Sequence, residues 1–235
     1  MDSLKGARLP RAVSLPVDWR RAGALFVPLT MLKSPCWHAK AVWRKDRSVW
    51  VGEDTMAKND HAHAVRLVGS IEKHIGSEAA KEVEARFSLS KSADIATKYQ
   101  WAQAICGYLD EHYDAETIVS IRKECRCNDG KSIANKLLKY LNRTESIKAF
   151  VALFNQNETF ACLEYISENR IRFCYPQCYC ACVKRVPHEL SKTWCYCTLG
   201  NAEGIFSEVF RTNVQVTLLQ SIKTGAEKCV IEVAW

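Results

Sequence analysis

The sequence predicts an α+β fold, helical in its N-terminal half, with antiparallel strands and a helix in a cysteine-rich C-terminal half. Three observations predict it. Between residues 61 and 155, apolar residues recur at helical spacing between capping signals. From Thr159 the chain switches to aromatic and β-branched runs broken by turn residues. Seven of the twelve cysteines then fall between Cys174 and Cys229.

Residues 1–55 hold four of the six prolines and four of the seven tryptophans, without sustained periodicity. They read as a disordered extension or a non-native start, with ordinary helix-forming sequence beginning at Met56. Arg20-Arg21, apolar Ala22 to Leu32 and Ala39-Lys40-Ala41 imitate an export signal. Lys33, His38 and Lys40, however, put charge where a cleavage region is usually uncharged. Residues 56–235 read as a single α+β domain, with a helical part at 56–157 and a strand-rich cysteine part at 158–235.

In the helical part, Val65, Leu67, Val68, Ile71 and Ile75 fall near helical spacing, which predicts a helix from about His61. Gly76-Ser77 marks a break, with Ser77 as N-cap of a short helix over 78–87. Ser92 gives a capping signal for a helix over 93–108, where Ile95, Tyr99, Ala102 and Cys106 repeat on one face. Asp114 opens another through Lys123, with Glu116 in the first turn, where the helix dipole favours an acid. Cys125-Arg-Cys127-Asn-Asp-Gly130 stops it. Residues 131–141 and 144–155 are two more amphipathic stretches.

In the second part, Thr159 to Ile166 and Ile171 to Tyr175 flank Ser-Glu-Asn-Arg as a hairpin. Gly200 to Phe210 reads as a helix with Ile205, Phe206, Val209 and Phe210 inward. Val214 to Leu218 alternates, and Val230 to Val233 follows Gly225, so the two pair as a final hairpin.

The net charge of +7 is concentrated in residues 1–55, which carry +5 and leave +2 for the rest. No basic stripe with interleaved aromatics stands out, so a nucleic-acid partner is not expected. No run of eighteen apolar residues exists, so no membrane partner is expected either. Self-association is left open. The cysteines sit in C-x-C clusters, and neighbours that close rarely bridge each other without strain. Clustered thiols of this kind are metal ligands or redox groups in a cytoplasmic protein more often than a disulfide framework.

Side chains two apart in a strand share a face, so Cys178/Cys180 and Cys195/Cys197 would each turn two thiols to one side. Together they suit zinc, with Cys229 as a fifth candidate and Cys125/Cys127 as a secondary pair. An iron–sulfur cluster also takes four thiolates. Cys106 and Cys162 read as core, and Cys174 as packing or ligand. The histidines read as surface residues, apart from His188, which lies between the two clusters. No Ser/His/Asp constellation or paired carboxylate emerges. Glu164, His188 and Glu203 are catalytic candidates, as general bases, only if a bound ion keeps one position open for water.

The runs Tyr-Pro-x-Cys-Tyr-Cys at 175–180, Trp-Cys-x-Cys-x-x-Gly at 194–200 and Ser-Ile-x-x-Gly-x-x-x-Cys at 221–229 resemble the L-2-amino-thiazoline-4-carboxylic acid hydrolase-like family, a bacterial group. The ending is also similar to the vinyl-reductase-like domain, a small α+β ligand-binding module with a cysteine metal site. That module usually has a further cysteine where this chain has Ser221. The resemblance implies Cys178, Cys180, Cys195, Cys197 and Cys229 as the site, with Cys125 and Cys127 associated. The expected function is a metal–thiolate module, with zinc, that binds or senses a small molecule. A metal-dependent hydrolase acting on a small cyclic amide or thiazoline-type substrate is the alternative, and an iron–sulfur or thiol redox protein a third reading.

Overall fold

A computed structural model of the protein describes residues 59–235. The readings of residues 1–55 and of Met56 as a start lie outside the described residues. The described chain is α+β, with six helices before a four-stranded antiparallel sheet.

Helix α1 (Ala62–His74) buries Ala64, Leu67 and Ile71 on one stripe. Burying each such Leu or Ile is worth about 1.5–3 kcal/mol. Helix α2 (Ser77–Arg86) follows Gly76, whose φ of 128° belongs to glycine. Ser77 is the first residue of that helix and makes no cap, contrary to the expectation. Helix α3 (Ile95–His112) is capped by Asp94, not Ser92, because the Asp94 carboxylate accepts the Thr97 N–H at 2.7 Å. Ser92 instead has its N–H bonded to the Ser90 hydroxyl in the preceding turn. Helix α4 (Ala115–Glu124) starts at the expected Asp114, which accepts from Thr117 N–H at 2.8 Å. Helix α5 (Lys131–Leu141) and helix α6 (Ile147–Asn157), capped by Ser146, complete the series.

Strands β1 (Cys162–Ser167) and β2 (Arg170–Tyr175) form the expected hairpin. After an irregular stretch come α7 (Lys192–Cys195) and α8 (Cys197–Phe210), then β3 (Gln215–Gln220) and β4 (Cys229–Ala234). The last two strands pair as predicted, but β4 also pairs with β2, giving the order β1-β2-β4-β3. Alternation then sorts the sheet. Leu163, Ile171, Phe173, Ile231 and Val233 pack with α5, α6 and α8. Glu164, Arg172 and Glu232, mutual partners in register, form an ion ladder at 3.7 Å spacings on the opposite face.

Two apolar cores result. One gathers α1 to α4 with Val183, Leu190 and Trp194, and the other fills the space between the sheet and α5, α6 and α8. Cys195 and Tyr196 pack against both, so the α7–α8 junction is the seam between them. Gly200 makes the close approach there: a methyl on it would sit 1.9 Å from the Lys123 carbonyl oxygen on α4.

Candidate functional site

The cysteine segment is not built on strands, which corrects the geometry expected for the C-x-C pairs. Cys178 and Cys180 lie in the irregular chain at 176–191, and a structureless stretch that long is uncommon inside a domain unless it is functional. Cys195 ends α7 and Cys197 begins α8, with Tyr196 between them in helical angles. Residues two apart on a helix do not share a face. The thiols meet by tertiary folding instead.

They meet around one cavity of about 290 Å³. Cys178, Cys180, Cys195, Cys197 and Cys229 all line it, and so does Cys127. Its apolar wall includes Ile133, Phe160, Tyr175 and Leu218. Cys125 is not part of the lining; it is fully buried and its thiol donates to the Ile121 carbonyl of its own helix at 3.5 Å. Among the described residues, no three His, Cys, Asp or Glu side chains are gathered closely enough to hold a metal ion. The donors therefore stand around the cavity wall and do not form a closed cluster.

Several of these sulfurs receive hydrogen bonds. The Ser221 hydroxyl donates to Cys195 Sγ at 3.0 Å, and the Ile222 N–H to Cys229 Sγ at 3.5 Å. Cys180 is held well below the ordinary thiol range, first by the Cys182 thiol and then by the Cys182 N–H. Burial pushes the others up: Cys178 and Cys127 upward, Cys195 to about 12, and Cys197 higher still. Donation from Ser221 opposes that rise at Cys195, and Arg122 opposes it at Cys197. Without an ion most of these thiols stay protonated, whereas a coordinating thiol is deprotonated outright.

Sequence reasoning missed the positive charge behind the wall. Arg122 on α4 is fully buried and donates to the carbonyls of Trp194 at 2.9 Å and Thr193 at 3.3 Å. Its guanidinium lies 4.7 Å from the Trp194 ring, and Nη1 has no partner among the described residues. Lys223 lines the cavity, and its ammonium donates to the carbonyls of Val186 and His188. Among the described residues, the lining contains no Asp or Glu. A signal for Arg122 existed: it shares the buried stripe of α4 with Ile118 and Ile121, where a cation is out of place. His63, expected at the surface, is buried and stacks on Trp194 at 4.8 Å. It falls one turn before Leu67 on the inward stripe of α1.

The three catalytic candidates lie elsewhere. Glu164 is on the outer sheet face, bonded to Lys228 Nζ at 2.5 Å. Glu203 pairs with Lys123 at 3.0 Å in a separate polar cleft. His188 sits beside Tyr99, ring centres 5.9 Å apart. None of them lines the cysteine cavity.

No helix of the described residues is long and apolar enough to cross a membrane. No curated protein matches the chain. Among solved structures it is similar to an H-NOX protein from S. oneidensis in the Fe(II)NO ligation state, at 12% identity and a TM-score of 0.36, over 74% of this chain and 97% of that one. An unliganded H-NOX mutant from K. algicida matches at 10% identity and TM-score 0.36, over 74% and 94%. An H-NOX from Shewanella woodyi matches at 14% and 0.35, over 73% and 92%. Likenesses this distant carry no argument about ligand or function. A family model matches residues 56–235, and the chain belongs to that family, the family of unknown function DUF6144.

Proposed function

We propose that the chain is a metal–thiolate protein, with zinc as its ion, that binds or senses a small molecule in the cysteine-lined cavity. One observation carries this reading. Among the described residues, six cysteines and no carboxylate line a single cavity, Lys223 lines it too, Arg122 lies behind its wall, and neither cation is paired with an acid. A buried cation is costly unless negative charge answers it. Thiolates on a metal supply that charge, and a donor set made only of sulfur suits zinc or an iron–sulfur cluster.

Cys180, Cys195 and Cys197 would hold the ion, with the fourth ligand drawn from Cys178, Cys229 and Cys127. Zinc would supply a fixed positive centre that keeps these thiols deprotonated. The chain's own residues do the rest. Ser221 O–H and the Ile222 N–H orient the Cys195 and Cys229 sulfurs, and Phe160, Tyr175 and Leu218 offer apolar surface to a ligand. The three general-base candidates, Glu164, His188 and Glu203, are outside the cavity, so binding is favoured over a hydrolase. We further propose a cytoplasmic location, where free thiols persist.

Elemental analysis with a visible spectrum on anaerobically purified full-length protein tests this. One zinc per chain without visible absorption, lost in Cys180→Ser and Cys197→Ser but kept in Cys106→Ser, is the expected result. Iron with a charge-transfer band would move the protein to the redox class. Absence of any metal, with the thiols fully titratable in the folded state, would overturn the proposal.

A further inference from the structure

Two cysteines stand apart from the cavity and face each other across the sheet. Cys162 opens β1 and is the register partner of Cys174 in β2. Both belong to the outer face, because Glu164 and Arg172, two residues on along each strand, are partners there and form an ion pair at 3.7 Å. Opposed residues in an antiparallel pair have Cα atoms at about 4.5 or about 5.5 Å. Both values fall within the about 4.4–6.8 Å that disulfides span. Opposed Cβ atoms lie about 4.5–5.5 Å apart, against about 3.8 Å in a disulfide, so bond closure draws the strands together by roughly 1 Å. The pair sits at the very start of β1, where the ladder can give that much.

From this register and its neighbours we infer that Cys162 and Cys174 form a reversible dithiol–disulfide site on the outer face of the sheet, oxidised by exchange with small-molecule disulfides. The surroundings assign the roles. Cys162 is half-buried and reachable, whereas Cys174 is fully buried. Glu164, two residues on from Cys162 on the same face, is held in its charged form by Lys228 and Arg172. Cys162, as thiolate, attacks the external disulfide, forms a mixed disulfide and releases one thiol. Cys174 then loses its proton to solvent and attacks the Cys162 sulfur, expelling the second thiol. The protein loses two hydrogens and two electrons, and one external disulfide becomes two thiols. The site is independent of the metal reading, since neither cysteine lines the cavity.

Oxidised glutathione is the probe, applied to full-length protein, followed by blocking of free thiols, trypsin and mass spectrometry. The tryptic peptide 149–170 carries Cys162 as its only cysteine, and 173–184 carries Cys174 with Cys178, Cys180 and Cys182. Wild type is expected to yield these two peptides joined, with no retained glutathione. Cys178→Ser keeps the link. Cys174→Ser loses it and holds one glutathione on Cys162. Circular dichroism checks that each variant is folded. A link that survives in folded Cys174→Ser would overturn the inference, and so would a wild type that keeps glutathione on Cys162 without ever forming the link.

Discussion

Gly200→Ala separates packing from helix propensity at the seam between the two cores. An added methyl would lie 1.9 Å from the Lys123 carbonyl oxygen and 2.7 Å from its carbonyl carbon. An ordinary C···O contact is about 3.3 Å. Backbone cannot swing aside as a side chain can, so α8 must move off α4 by more than about 1 Å. Overpacking of that kind costs about 1–3 kcal/mol or more, against the roughly 0.5–1 kcal/mol that alanine gains over glycine inside a helix. In a fold of this size 1 kcal/mol shifts Tm by about 2–4 °C. A net loss of about 1–2 kcal/mol, and so a fall of roughly 2–8 °C, is therefore expected in thermal unfolding followed by circular dichroism. Two controls share the propensity term. Gly107→Ala in α3 opens onto empty space and should raise Tm by a few degrees. Gly204→Ala meets only the mobile head of Arg126 and should change it little. If Gly200→Ala melts together with Gly107→Ala, the close approach of α4 and α8 is refuted.

Arg122→Met removes a buried cation and keeps an apolar side chain of similar length. Metal-free protein should lose only a few degrees, because relief of the buried cation offsets the Trp194 and Thr193 carbonyls left unpaired, while zinc affinity by chelator competition drops at least about tenfold. Equal loss in both forms would refute the counter-charge role. His63 has its pKa pulled well below the usual 6.5, first by burial and then by Arg122. The folded state therefore resists a proton that the unfolded chain accepts. Stability is complete above about pH 6.5 and falls as pH drops, by about 1.4 kcal/mol per unit. His63→Phe should flatten that limb in urea melts at pH 5 and 7. Asp114 is depressed by the Thr117 N–H it caps, so its contribution is present above the ordinary carboxylate range and lost as pH falls through its folded pKa. Asp114→Asn should remove that acid-side component, read in the same titration.

The helices were legible because their signals are local. A stripe such as Leu67 and Ile71, or a cap such as Asp114, needs no information beyond a few turns of chain. Asp94 was missed because Ser90, Ser92 and Asp94 all carry capping chemistry, and only the final backbone path decides which oxygen meets an N–H. The cysteines of the site were also legible as a group: the five named from their motifs line one cavity. The reason given for their grouping was not right, since strand alternation does not operate in an irregular loop or across a helix junction. Arg122, Lys223 and His63 were missed because a charge on an inward stripe is weighed as noise when its surroundings are unknown. Cys162 read as core and Cys174 as packing or ligand, each on its own. Only the register of β1 on β2 makes them a pair.

The strand order has a consequence for how the molecule is made. β4 is the last of the four strands in chain order, yet it lies inside the sheet, between β2 and β3. During synthesis, the helices and the β1–β2 hairpin can form while β4 is still in the ribosome. Until then β2 presents an open row of backbone donors and acceptors, and β3 has no neighbour among the described strands. Such an edge invites pairing with another nascent chain. Cys229 and the wall it contributes also arrive with β4, so the cavity becomes complete only at this last insertion. A stalled or shortened chain would thus fail in a specific way: helical, partly sheeted, prone to associate through β2, and lacking one thiol of its set.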